Sequence, residues 1–145
     1  MIGLIQRVSR ASVSVNQQVV GRINQGILLL LGVEKTDTQA AVEKLAKKVT
    51  HYRIFNDENG KMNLSLIDID AELLVVSQFT LVAQTDKGNR PGFSQGASPE
   101  HGKAMYEAFI AHTESNYLRC EKGVFGADMK IELVNDGPVT FQFRV

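Results

Sequence analysis

The chain has 145 residues, and its 16 basic side chains are balanced by 16 acidic ones, which argues against a protein that coats nucleic acid or an anionic membrane. A hydrophobic share of 43% against 22% charged residues is that of a globular domain, and the length fits one domain with a real core. Neutrality still permits a grip on the end of a nucleic acid through a few phosphates, because that affinity scales with the contacts made.

The first residues, Met1 to Arg7, lack the basic start, long apolar stretch and small-residue cleavage site of a signal peptide. Residues 2–8 read as strand, as do residues 11–15, where Val13 and Val15 alternate with Ser12 and Ser14. Asn16-Gln17-Gln18 is a turn into Val19–Ile23, and Asn24-Gln25-Gly26 a second turn into Ile27–Leu31, a strand buried on both faces. These elements predict an antiparallel meander. The apolar run from Ile27 to Val33 is too short to cross a bilayer. With the lone Cys120, which excludes an internal disulfide framework, it leads us to expect a soluble cytoplasmic protein.

Val42, Leu45, Ala46 and Val49 recur at helical spacing and predict a helix from Thr38 to Tyr52. Thr36 with Gln39 forms a candidate capping box, with Asp37 and Thr38 as alternative caps. A short strand at Ile54-Phe55 and a turn at Asn56–Gly60 follow. Residues 72–84 predict a strand, and 85–93 a polar loop bearing Lys87 and Arg90, of a length and composition that suggest function or disorder. Ser98-Pro99 opens a second helix as cap and first residue, with Met105, Ala108, Phe109 and His112 on one face. Strands are expected at 118–121, 129–134 and 139–145, the last two joined as a hairpin at Asp136-Gly137. The sum is a mixed α/β (α+β-like) single domain over residues 1–145. Its architecture is a layered β/β/α arrangement of mostly antiparallel sheet, with two principal helices on one side.

Two segments stand out chemically. Ser77-Gln78-Phe79-Thr80 closes the apolar run Leu73–Val76 with three hydrogen-bonding side chains in four residues. It is either a strand leaving the core, or a set of exposed amides forming an oxyanion hole with Thr80 orienting a reacting group. Gly137-Pro138 is either part of a hairpin turn or a cis pair aiming two carbonyls one way, and the isomer is open at the level of sequence. His51, His101 and His112 match no metal spacing, and Gly88, Gly92 and Gly96 do not form a phosphate-binding loop. No metal and no nucleotide cofactor are expected. Cys120 reads as a core filler. Phe125, between Gly123 and Gly126, is a stacking platform for a base or a core residue beside a turn. Arg7, Arg10 and Arg22 give the first 22 residues three positive charges and no acid.

The chain resembles the D-aminoacyl-tRNA deacylases from end to end. The likeness is carried by Gln6–Val13, Leu30–Val33, Arg53–Phe55, Gly60–Asn63, Val75–Leu81, Phe125–Met129 and Leu133–Thr140. Both standout segments coincide with the family's signature motifs. The resemblance implies a homodimer with active sites at the subunit interface, where a cis Gly137-Pro138 from one subunit enters the site built by Ser77, Gln78, Phe79 and Thr80 of the other. It implies hydrolysis of the ester joining a D-amino acid, or glycine, to the 3′-terminal adenosine of tRNA. Arg7 is then expected to support the partner's Gly-Pro through a carbonyl hydrogen bond, and Phe125 and Met129 to border the adenosine. A related L-specific deacylase, and an RNA-end binding module without turnover, are the competing readings.

Overall fold

The computed structural model describes all 145 residues. Its strands are β1 (Ile2–Val15), β2 (Gln18–Ile23), β3 (Gly26–Gly32), β4 (Phe55–Asn56), β5 (Met62–Leu64), β6 (Glu72–Ser77), β7 (Cys120–Lys122) and β8 (Met129–Arg144). Its helices are α1 (Gln39–His51) and α2 (Pro99–Asn116), with a 3₁₀ turn at Phe79–Val82. The α+β class expected from the sequence is the one observed. No helix is long and apolar enough to cross a membrane.

β1 is the spine. Its far half pairs antiparallel with β2 and its near half with β3, while β8 runs antiparallel along its other edge. β2 and β3 therefore follow one another along a single edge of β1. The chain is kinked, not reversed, at Asn24-Gln25, and the expected meander is a long hairpin instead. Beyond β3 the sheet turns parallel, β3 to β6 and β6 to β7. It curls until β2 meets β7: a side chain at Gly21 would lie 2.8 Å from the Lys122 carbonyl oxygen. The result is a near-barrel with both helices packed outside it.

Strand periodicity divides the core. Ile27, Leu29, Leu31, Leu73 and Val75 face α1 and α2, joining Val42, Leu45, Val49, Tyr106 and Phe109. Leu28, Leu74 and Val76 point inward, joining Val8, Ala11, Val13 and Ile23. The Ile27–Leu31 run is buried on both faces because each face has its own apolar layer.

The helices depart from expectation in detail. Thr38 caps α1 without a side-chain hydrogen bond. No Thr36–Gln39 box forms: Asp37 is buried and accepts from the Met1 ammonium and the Glu34 amide, while Gln39 bonds Glu43. α2 begins as predicted, the Ser98 hydroxyl accepting the His101 amide at 3.2 Å. Its buried face is Gly102, Tyr106, Phe109, Ile110 and Thr113, rotated from the predicted one. Thr113 and Gly102 hide that face from a hydrophobic count. Thr113 is satisfied internally by the Phe109 carbonyl at 2.8 Å, and Gly102 is buried for want of a side chain.

Two corrections matter for function. The strand expected over 72–84 stops at Ser77, because its neighbour β3 ends at Gly32 and the 3₁₀ turn folds over that glycine. Residues 129–134 and 139–145 do not form a hairpin. They are two parts of β8, and both pair with β1.

Candidate active site

The carboxyl ends of the three parallel strands meet at one place. Leu31 and Val33 end β3, Ser77 to Phe79 end β6, and Phe125 to Asp128 follow β7. Together with the start of α2 they enclose a mostly apolar cleft of about 540 Å³, within the range of small-ligand sites. Such an edge is the usual place for a site in parallel sheet, because the strands stop there and their last peptides lack ladder partners.

Ser77 is half-buried at the end of β6, and the Gln78 amide makes the last ladder bond, 2.8 Å to the Leu31 carbonyl. The chain then turns into the 3₁₀ segment. The Leu81 amide reaches back to the Gln78 carbonyl at 3.2 Å, and the Ala83 amide to that of Thr80 at 3.1 Å. The amides of Phe79 and Thr80, at the start of that turn, find no acceptor in the chain. Alternation of faces, expected for an extended strand, does not apply beyond Ser77. The Gln78 side-chain amide instead donates to the Thr80 hydroxyl. Phe79 is 68% exposed, its ring tilted against Phe93 with centroids 5.1 Å apart.

Phe125 forms the opposite wall. It is neither a free platform nor a core residue. One face lies by Tyr106 with centroids 5.8 Å apart, and its edge sits where a side chain on Gly102 would come within 3.3 Å. Tyr106 is locked beneath by donating its hydroxyl to the Val75 carbonyl at 2.9 Å, and burial raises its pKa to about 12. Met129 begins β8 beside Gly123 and lines the cleft with Phe125.

Arg7, Gly137 and Pro138 lie elsewhere and do not line this cleft. On β8 the register jumps from Asn135, opposite Val8, to Thr140, opposite Gln6, so residues 136–139 bulge out across from Arg7 alone. The Gly137–Pro138 peptide is cis and both residues are exposed. Gly137 has φ +143°, and a side chain there would meet Val139 Cγ2 at 2.6 Å. Arg7 is buried, donating through Nε to the Asp136 carbonyl at 2.9 Å and through Nη1 to the Ile54 carbonyl at 2.6 Å. It thus braces the Gly-Pro bulge of its own chain, where the resemblance led us to expect the partner's.

Two contributors escaped the sequence reading. Asn135 closes the base of the bulge: its Oδ1 accepts the Val139 amide and its Nδ2 donates to the Thr140 hydroxyl, both at 2.9 Å. Phe93 builds a wall of the cleft by stacking on Phe79. Asn135 carried a signal as a short polar residue before Asp-Gly, and Phe93 only its place at the end of the polar loop 85–93. None of the three histidines lines the cleft. His101 contacts the Asp37 carbonyl, and His51 and His112 pack edge-on toward Tyr117. Cys120 is buried, and desolvation pushes its thiol to a pKa of about 12.

Comparison with known proteins agrees along the whole chain. The model of the D-Tyr-tRNA(Tyr) deacylase family matches residues 4–144. The D-aminoacyl-tRNA deacylase of Pseudoalteromonas atlantica is 63% identical, and that of Alteromonas mediterranea 59%, each over 100% of both chains. A solved structure described as c-Myc DNA Unwinding Element Binding Protein is similar with TM-score 0.94 and 38% identity, covering 100% of this chain and 99% of its own. Another, described as a probable eukaryotic D-amino acid tRNA deacylase, shares the fold with TM-score 0.85 at 19% identity, over 98% and 97% of the two chains. Motifs, fold and full-length similarity together place this chain in the D-Tyr-tRNA(Tyr) deacylase family.

Proposed function

We propose that the chain hydrolyses the ester between a D-amino acid and the 3′-terminal adenosine of tRNA, releasing the amino acid and reusable tRNA. One observation carries the reading: Phe79, whose amide is unpartnered like that of the adjoining Thr80, lines an apolar cleft together with Phe125 and Met129. An aminoacyl ester is already reactive, so placing it and stabilising its oxyanion supply most of what hydrolysis needs. The adenosine lies between Phe125 and Met129, and the amides of Phe79 and Thr80 meet the developing oxyanion. Ser77 and Gln78 shape the turn that presents them. Thr80 has no base beside it, its hydroxyl being engaged with Gln78. Water activated with help from the tRNA 2′-hydroxyl is therefore preferred over attack by Thr80 itself.

The working unit is a homodimer of single-domain subunits. The exposed Gly137-Pro138 bulge does not reach its own chain's cleft, which suits delivery to a second copy in a symmetric pair. Its carbonyls hold the substrate α-amino group and leave no room for an L side chain, while a D side chain points outward. Glycine, with no side chain to exclude, is accepted too. Chirality is read by exclusion.

Incubation with matched D- and L-tyrosyl-tRNA tests the reaction. Loss of the D-ester alone is expected. Loss of the L-ester would favour the L-specific branch, and loss of neither a binding module. Mixing Thr80→Pro subunits, which lack one of the two amides, with Pro138→Ala subunits tests the assembly. Each mixed dimer regains one intact site if the bulge acts across subunits, and none if it acts within one.

A further inference from the structure

We propose that Lys87 and Arg90, at the tip of the loop between Gln84 and Gly92, engage phosphates of the tRNA strand just outside the cleft. This rests on the substrate reading above and extends it to a second contact region. The loop is firmly built at its neck. The Gln84 and Gly92 backbones exchange hydrogen bonds of 2.7 and 3.0 Å, and Ser94 donates to the Gln84 side-chain carbonyl at 2.8 Å. Lys35 adds a bond to the Ser94 carbonyl at 3.2 Å. Immediately after the neck, Phe93 stacks on Phe79 and lines the cleft, so the loop rises from the rim of the site.

The tip contrasts with the neck. Residues 85–91 are all exposed and their side chains make no hydrogen bond. No carboxylate lies within ion-pair distance of Lys87 or Arg90, so both cations are free to meet an external anion. Asp86 is the only acid on the tip, leaving it with a net positive charge in a chain whose total is zero. An anchored base, an unpaired cationic tip and a place beside the cleft suit a polyanion that continues past the bound end. The phosphates of an acceptor strand supply that chemistry, and each neutralised phosphate releases counterions.

The experiment compares wild type with Lys87→Gln/Arg90→Gln on D-tyrosyl-tRNA and on the D-tyrosyl ester of adenosine, which has no distal phosphate. Two lost phosphate contacts flatten the salt dependence, so the fall in kcat/KM on tRNA between about 50 and about 200 mM salt shrinks by roughly tenfold. The expected result includes an unchanged kcat at saturation and unchanged cleavage of the adenosine ester. An unaltered salt slope would overturn the proposal, and so would an equal loss on both substrates, which would make the loop a wall-builder acting through Phe93. The salt slope of binding to uncharged tRNA, read by fluorescence anisotropy, probes the same phosphate contacts without turnover. Wild-type inactivity on both esters would instead sink the substrate reading, and the binding slope would still decide the loop.

Discussion

Residues 73–82 end a strand and residues 135–140 interrupt one, and the chain handles the two breaks differently. At the first, Leu73 to Val76 are buried on both sheet faces, and the turn after Ser77 is packed over Gly32. At the second, the ladder resumes after the interruption, and what projects is braced by Arg7 and Asn135 and anchored at its far end by the buried side chain of Val139. The first break is supported by core packing throughout, the second by two polar braces and a single core anchor. A cleft made of turn amides needs a rigid floor, whereas a segment that must reach another surface needs a stem and freedom beyond it.

Changes at the two breaks should therefore separate. The largest effect is expected from Phe109→Ala beneath β6, a fully buried ring whose loss should cost about 3–5 kcal/mol in urea unfolding. Arg7→Gln comes next. Removing the two bonds to the Asp136 and Ile54 carbonyls should cost about 2–3 kcal/mol, and hydrogen exchange at residues 136–139 should rise far more than at 79–82. Equal loosening of both segments would mean that the two breaks share one support. Asn135→Ala should cost about 1–2 kcal/mol, with the same local signature and β6 protection intact.

A separate effect belongs to pH. Cys120 and Tyr106 have folded pKa values of about 12, raised from 9.0 and 10.0 mainly by burial. Both are neutral when protonated, so above pH 9 the unfolded chain releases protons that the folded chain retains. Their contribution to stability is whole below that point and falls as pH rises toward 12. Urea midpoints measured from pH 8 to 11 should decline gently, and Cys120→Ala should delay the onset. A decline that begins at the same pH in Cys120→Ala would remove the thiol from the account.

Much of the fold was legible because it follows from periodicity. Alternation in Val13–Val15, the unbroken run Ile27–Leu31 and the Ser98-Pro99 start all describe local choices that tertiary contacts then ratify. The errors share a cause. Whether Asn24-Gln25 reverses the chain, where β6 ends, and whether Asp136-Gly137 makes a hairpin depend on which strand lies alongside, and that is non-local. Asp-Gly has the chemistry of a tight turn, but β1 is long enough to pair with both flanks, so the same residues become a bulge. The cleft was half legible. Ser77 to Phe79 announced themselves by polarity after an apolar run, but their meeting with Phe125 and Phe93 required the curl of the sheet.

Because β1 fixes the pairing on both sides of that bulge independently, the three residues from Asp136 to Pro138 are surplus to the sheet, and the buried Val139 re-enters the core behind them. Their number can change without sliding either ladder or turning a core side chain outward. The segment is a ruler: each pair of added residues, one on either limb, extends its reach by up to about 3.3–3.6 Å, while the hydrophobic layers beneath stay in place. The distance this protein can span to another surface is thus set by a short stretch of sequence that folding leaves free to vary.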